Sequence, residues 1–204
     1  MASPGGRLSL DRLNPRIGVI AAAASVAWAG QGLASLALPD PTALLDVTMI
    51  APVLLTVTGI WLLKQQGAMG QGALSRVVDG SCAVATLFAI PGQLSFAMEW
   101  DGPGTLLAIV VTVALIGAIV LGGIAILRAR VLPRWMGIAL IAAQPLAILL
   151  GLAFSPISPL ADHGDYTGAL GHGIVWGLIA AALLGKRIPH LNENPVPMLG
   201  SAKA

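Results

Sequence analysis

Six apolar stretches of membrane-crossing length divide this chain, separated by short polar or turn-rich segments. They run over about 17–38, 47–63, 78–98, 105–127, 133–154 and 166–184, each near the roughly 20 residues that cross about 30 Å of hydrocarbon. None alternates apolar and polar positions as a barrel strand does. A backbone in lipid finds no water for unpaired N–H and C=O groups, so the pattern predicts helices. Connectors such as Pro39-Asp40-Pro41 and Gly102-Pro103-Gly104 are short and turn-forming, which sets consecutive helices antiparallel. The expected fold is an all-α membrane protein, a six-transmembrane-helix bundle forming a single domain over residues 1–204. Residues 1–13 and 192–204, rich in Gly, Ser, Pro and Asn, read as tails without fixed structure.

Charge orients the bundle. All eleven Lys and Arg residues fall on one side of the six-span reading: Arg7, Arg12, Arg16, Lys64, Arg76, Arg128, Arg130, Arg134, Lys186, Arg187 and Lys203. The intervening loops carry acids and one histidine, namely Asp40, Asp46, Glu99, Asp101, Asp162, His163 and Asp165. Basic residues are retained on the cytoplasmic side, so both termini are expected there, in a multi-pass plasma (inner) membrane protein. The first span, with Arg residues before it and Ser35-Leu36-Ala37 near its end, also fits a secretory signal. Its apolar stretch is longer than the roughly 7–15 residues of a signal core, which favours a retained span.

Composition narrows the classes. Hydrophobic residues make up 56% of the chain and charged residues 10%, well below the roughly 25% of a soluble domain. The net charge of +2 sits in the cytoplasmic flanks, suited to anionic lipid headgroups, and forms no stripe suited to nucleic acid. The single cysteine, Cys82, allows no internal disulfide and no paired-cysteine metal site. A weak internal repeat is visible, because Gly18 and Gly80 precede Gly30-Gln31 and Gly92-Gln93 by equal intervals. Abundant glycine in membrane helices explains it equally well.

Candidate chemistry lies in the outer half. No Lys, Arg or Glu stands at mid-depth, which weighs against pumps and proton relays. Gln31, Gln93 and His172 lie four to seven residues from the outer ends of their spans, or roughly 6–10 Å deep, and Gln144 lies nearer the centre. In the last span Asp165, His172 and Trp176, at spacings of seven and four, share one helix face. An acid over an imidazole over an indole suits hydrogen bonding to a ligand. It also suits an ordinary interhelical bond from His172, worth about 0.6–2 kcal/mol. Trp28 and Trp176 are too deep for an aromatic belt and each needs a partner for its N–H. Pro52, Pro91 and Pro145 remove backbone donors inside three spans and predict kinks. Small residues four apart, as in Ala23/Ala27, Ala118/Gly122 and Gly173/Gly177, predict close helix packing. Asp162, His163, Asp165, Glu99, Asp101 and Met98 share the acidic side, but without diagnostic metal spacing.

Three stretches carry resemblances. Arg130-Val131-Leu132-Pro133-Arg134-Trp135-Met136-Gly137 resembles the entry to the fifth helix in small bacterial six-helix membrane proteins of uncharacterised function, and implies their architecture. Gly171-His172-Gly173, with Gly177, is similar to the histidine helix of rhomboid intramembrane proteases. That family needs a Gly-x-Ser-Gly nucleophile on its fourth helix, and the fourth span here contains no serine, so His172 has nothing to activate. The Ala-rich first span with Ala23 and Ala27 resembles the substrate-capture subunits of energy-coupling-factor vitamin transporters. This last resemblance implies a cytoplasmic coupling partner and a small ligand entering from the acidic side.

The combined expectation is a membrane protein that binds or moves a small neutral or apolar molecule, with Gln31, Gln93, Gln144, His172, Trp176 and Asp165 lining the site. The alternative is an accessory subunit that packs against another membrane protein, or a second copy, through its small-residue faces. An enzyme ranks third, since the sequence displays no nucleophile, paired buried carboxylates or metal signature, and no cofactor, metal or nucleic acid is expected.

Overall fold

A computed structural model describes residues 13–37, 42–98, 100, 102–154 and 164–185 of the chain. Residues 1–12, the basic C-terminal residues Lys186, Arg187 and Lys203, the tail 192–204, and Asp40, Glu99, Asp101, Asp162 and His163 lie outside the described residues, whereas Leu13, at the edge of the expected N-terminal tail, is described and buried. All regular structure among the described residues is helical: α1 (Pro15–Ala37), α2 (Thr42–Thr48), α3 (Ile50–Gln65), α4 (Ala73–Ala97), α5 (Pro103–Ala129), α6 (Arg134–Phe154) and α7 (Gly164–Gly185). Six helical segments are long and apolar enough to cross a membrane, with α2 and α3 together supplying the second.

Local chemistry sets the helix ends. Asn14 caps α1, its Oδ1 accepting from the Arg16 N–H at 2.9 Å, and Pro15 takes the first helical position, where a missing N–H costs nothing. Gly102, at φ 72°, turns the chain into α5, which also opens on a proline. Arg130 closes α5 in the left-handed conformation (φ 55°), its N–H donating to the Ile126 carbonyl at 3.1 Å. The α2/α3 break at Thr48 and Met49 traces to Pro52. In a continuous helix the residue-52 N–H would bond the Thr48 carbonyl, and proline has none to give. The second helical segment also begins at Thr42, earlier than the span expected from residue 47, so Asp46 stands inside a helix and not in a loop.

Six antiparallel segments close into a ring in the order α1, α3, α4, α5, α6, α7, with α7 returning to α1. Lipid tails are as apolar as leucine, so what holds such helices together is close packing through small residues. The α1/α7 seam shows this along its length. Gly18 faces Leu184, Ser25 faces Gly177, Ala29 faces Gly173 and Gly32 faces Leu170. Each advance along α1 is matched by an equal retreat along α7, in steps of seven, four and three, the period of a supercoiled antiparallel pair. The Ser25 hydroxyl locks the register by donating to the Gly173 carbonyl at 2.7 Å. The Gly173/Gly177 face is thus occupied within the chain. On the far side, α6 presses its backbone against Gly168 and Gly171 of α7, and Gly123 of α5 meets Gly137 of α6.

Buried Ile17, Ile60, Leu63, Ile126, Met136, Leu140 and Ile179 fill the bundle, while Val26, Leu87, Val113, Leu149 and Leu152 point outward, as a lipid solvent permits. Among the described residues, Arg16, Lys64, Arg76, Arg128, Arg130 and Arg134 stand at helix ends that share one end of the bundle. Lys64 pairs there with Asp79 of α4.

Candidate functional site

The polar residues of the other end gather where α1, α3 and α7 meet. Trp28 of α1 donates its Nε1–H to the Thr56 hydroxyl of α3 at 2.8 Å, and both residues are buried. Its ring lies against His172 of α7, with centroids 4.7 Å apart and planes tilted by 32°. One helical turn deeper, Trp176 is fully buried, and its ring edge occupies the groove left by Gly59 of α3. A Cβ at residue 59 would stand 3.0 Å from the indole Cη2 and Cζ3, so glycine is what admits the ring.

Toward the end away from the basic residues, Gln31 is spent on structure. Its Nε2 donates to the Leu45 carbonyl at 2.5 Å and its Oε1 accepts from the Thr48 hydroxyl at 2.9 Å, bracing the α2/α3 break. Above it, the Tyr166 hydroxyl of α7 donates to the Asp46 carboxylate of α2, which is almost wholly buried. The sequence places Asp165 over His172. Asp165 lies in the first turn of α7, with its side chain outside the described residues; among the described residues Asp46 stands over the cluster. From the end away from the basic residues toward the middle of the bundle, the stack among the described residues is therefore Asp46–Tyr166, Gln31–Thr48, Trp28–His172 and Trp176.

Gln93 and Gln144 ride on other helices. Gln93 is buried on α4, beside Gly92 and Ser95, which seal α4 onto α5. The Ser95 hydroxyl lies 2.7 Å from the Gly92 carbonyl and 2.9 Å from that of Gly104. Gln144 is half-buried on α6, next to Pro145. Among the described residues no hydrogen bond joins either glutamine to the α1–α3–α7 stack.

Three buried side-chain polar atoms have no hydrogen-bond partner among the described residues: Ser75 Oγ, His172 Nδ1 and Trp176 Nε1. The last two stand four positions apart on α7 and so share a face. Each unpaired buried group costs about 1–3 kcal/mol, and hydrocarbon offers no water in compensation. The indole is a donor only, whereas the imidazole nitrogen donates or accepts according to tautomer. Together they suit a neutral group able to accept one hydrogen bond and complete another, such as a hydroxyl or carbonyl. Ser25, the nearest hydroxyl on α1, is committed to the Gly173 carbonyl and offers no nucleophile. No group of three or more His, Cys, Asp and Glu side chains comes together among the described residues.

Comparison with protein families, with curated proteins and with solved structures finds no match to this chain.

Proposed function

We propose that this chain is a multi-pass plasma-membrane protein, with both termini cytoplasmic, that binds or moves a small neutral molecule in the outer half of its bundle. The gathering of basic residues at one end supports the orientation. The observation carrying the function is the pair of unsatisfied buried groups on one face of α7, His172 Nδ1 and Trp176 Nε1, walled by Trp28 and the Gly59 groove. Tertiary packing normally leaves such groups bonded, and a ligand hydroxyl or carbonyl reaching between them would satisfy both at once. Apolar surroundings select against charged ligands, whose desolvation nothing nearby offsets. In this reading Gln31 is a brace for the wall at α2, and Gln93 and Gln144 lie away from the first contact.

Native mass spectrometry of the protein extracted gently from its own membrane tests this. The expected result is a small nonlipid mass that is retained by the wild type and lost in both His172→Ala and Trp176→Phe. A bundle holding no such mass but a stoichiometric protein partner would overturn the reading in favour of an accessory subunit.

A further inference from the structure

Between α3 and α4 lies an open cleft of about 660 Å³ that runs from the basic end of the bundle to the depth of Gly59, lined by Val57, Trp61, Gln65, Asp79, Cys82 and Leu87 among others. Its volume falls within the roughly 300–1,000 Å³ of small-molecule sites. On each wall the lining spans nine residues, Gln65 back to Val57 and Asp79 on to Leu87, and those eight steps cover roughly 12 Å along the helix at about 1.5 Å per residue. The cleft is graded along that length. Gln65 and Asp79 stand at the bundle end with the Lys64–Asp79 ion pair, Trp61 lies half exposed just below, and Val57, Cys82, Ala83 and Leu87 line the deeper part. The Thr86 hydroxyl turns back to its own helix, donating to the Cys82 carbonyl at 2.8 Å, so it adds little polarity.

We propose that this cleft binds one phospholipid with an ethanolamine headgroup, taken from the leaflet on the basic side. Charge complementarity selects this headgroup. Lys64 uses one of its three N–H donors on Asp79, and Asp79 uses one carboxylate oxygen, so both keep capacity for a second partner without breaking their pair. A phosphate fits against the Lys64 ammonium and a primary ammonium against the Asp79 carboxylate, giving four alternating charges with no net addition. An anionic headgroup would satisfy Lys64 but place a second negative charge beside Asp79. A choline headgroup has no N–H to donate. The Trp61 indole and the Gln65 amide stand on the same wall as donors for an ester carbonyl, and the apolar depth takes the start of an acyl chain.

The test is native mass spectrometry of detergent-purified full-length protein titrated with phosphatidylethanolamine, phosphatidylcholine or phosphatidylglycerol of identical acyl chains. The wild type is expected to bind one phosphatidylethanolamine about tenfold more tightly than either other lipid, a difference of about 1.4 kcal/mol. Asp79→Asn should bring the three lipids to parity. Ala83→Leu, which fills the cleft from an exposed position and leaves both charges, should weaken phosphatidylethanolamine about tenfold; it decides the matter if Asp79→Asn does not fold. Equal affinities in the wild type, or unchanged binding by Ala83→Leu, would overturn the proposal. So would displacement by free phosphoethanolamine at concentrations equal to the lipid, or a bound protein chain that no lipid displaces. None of these results bears on the ligand at His172 and Trp176, which belongs to the junction of α1, α3 and α7 and not to the α3/α4 cleft.

Discussion

Gly171→Ala is expected to be among the most damaging single-methyl changes in this bundle. An added Cβ there would stand 2.6 Å from the Ala147 nitrogen and 2.7 Å from its Cα, a shortfall of about 0.8 Å against the 3.4 Å at which such contacts become ordinary. The obstructing atoms are α6 backbone, so no side chain can swing aside and the two helices must separate. A gap of 0.5–1 Å forfeits about a quarter to a half of each van der Waals contact across it, at about 0.1–0.2 kcal/mol per atom pair. Over a seam of a few tens of atom pairs the loss is about 2–3 kcal/mol, in line with the usual cost of overpacking. That is on the order of a hundredfold in the unfolding equilibrium, since about 1.4 kcal/mol is tenfold. The assay is reversible unfolding in mixed micelles of rising denaturing-detergent fraction, followed by tryptophan fluorescence. Gly30→Ala is the control, because nothing lies within 4 Å of its added Cβ. If Gly171→Ala unfolds within about 0.5 kcal/mol of Gly30→Ala, the tight α6/α7 seam is wrong.

Other parts of the account predict smaller or different changes. Trp28→Phe should cost about 0.6–1.7 kcal/mol through the lost bond to Thr56, and a double-mutant cycle with Thr56→Val should recover a coupling of that size in the same assay. Tyr166→Phe removes a donor from the buried Asp46 carboxylate and should destabilise by about 1.5–3 kcal/mol, whereas Asp46→Asn with Tyr166 intact should cost less. Gly59→Ala should displace the Trp176 ring and shift its fluorescence emission, with a cost of about 1–3 kcal/mol; unaltered emission would mean the ring does not sit in that groove. On a Cys82→Ser background, Gln71→Cys should react with an impermeant thiol reagent only from the cytoplasmic side and Trp100→Cys only from outside. The reverse pattern would invert the proposed topology.

The number of spans and the gathering of basic residues at one end were legible because hydropathy and charge act segment by segment. Pairings between segments were not. Gly173 and Gly177 announce close packing, but nothing local tells α1 from a second protein as the partner. Only the seam with Ser25 and Ala29 identifies it. The Trp28 indole plainly needed an acceptor, yet Thr56 lies 28 residues away on another helix. Asp46 reads as a loop acid when the second span is begun at Val47; the extra helical turns from Thr42 bring it inward to Tyr166. The Lys64–Asp79 pair is not legible in the sequence, because Lys64 approaches Asp79 only after the chain reverses between α3 and α4. The Gly-Gln repeat splits in the fold: Gly30 meets nothing within 4 Å, while Gly92 packs on Val111 and Leu107 of α5. Of the candidate site residues, the α7 pair His172 and Trp176 came from spacing alone, whereas the structural duty of Gln31 depends on where α2 ends.

The central claim is that the Trp176 indole and His172 bind a small neutral molecule, and nitrogen-15 magnetic resonance of the tryptophan indoles reads it most directly, with Trp176 assigned through Trp176→Phe. The account predicts that its N–H resonance in gently extracted protein carries the downfield shift of a hydrogen bond. That shift should disappear on exhaustive detergent exchange and return when the small-molecule fraction of the membrane is added back, with Trp61 unmoved. A Trp176 resonance identical in the two preparations would contradict the claim.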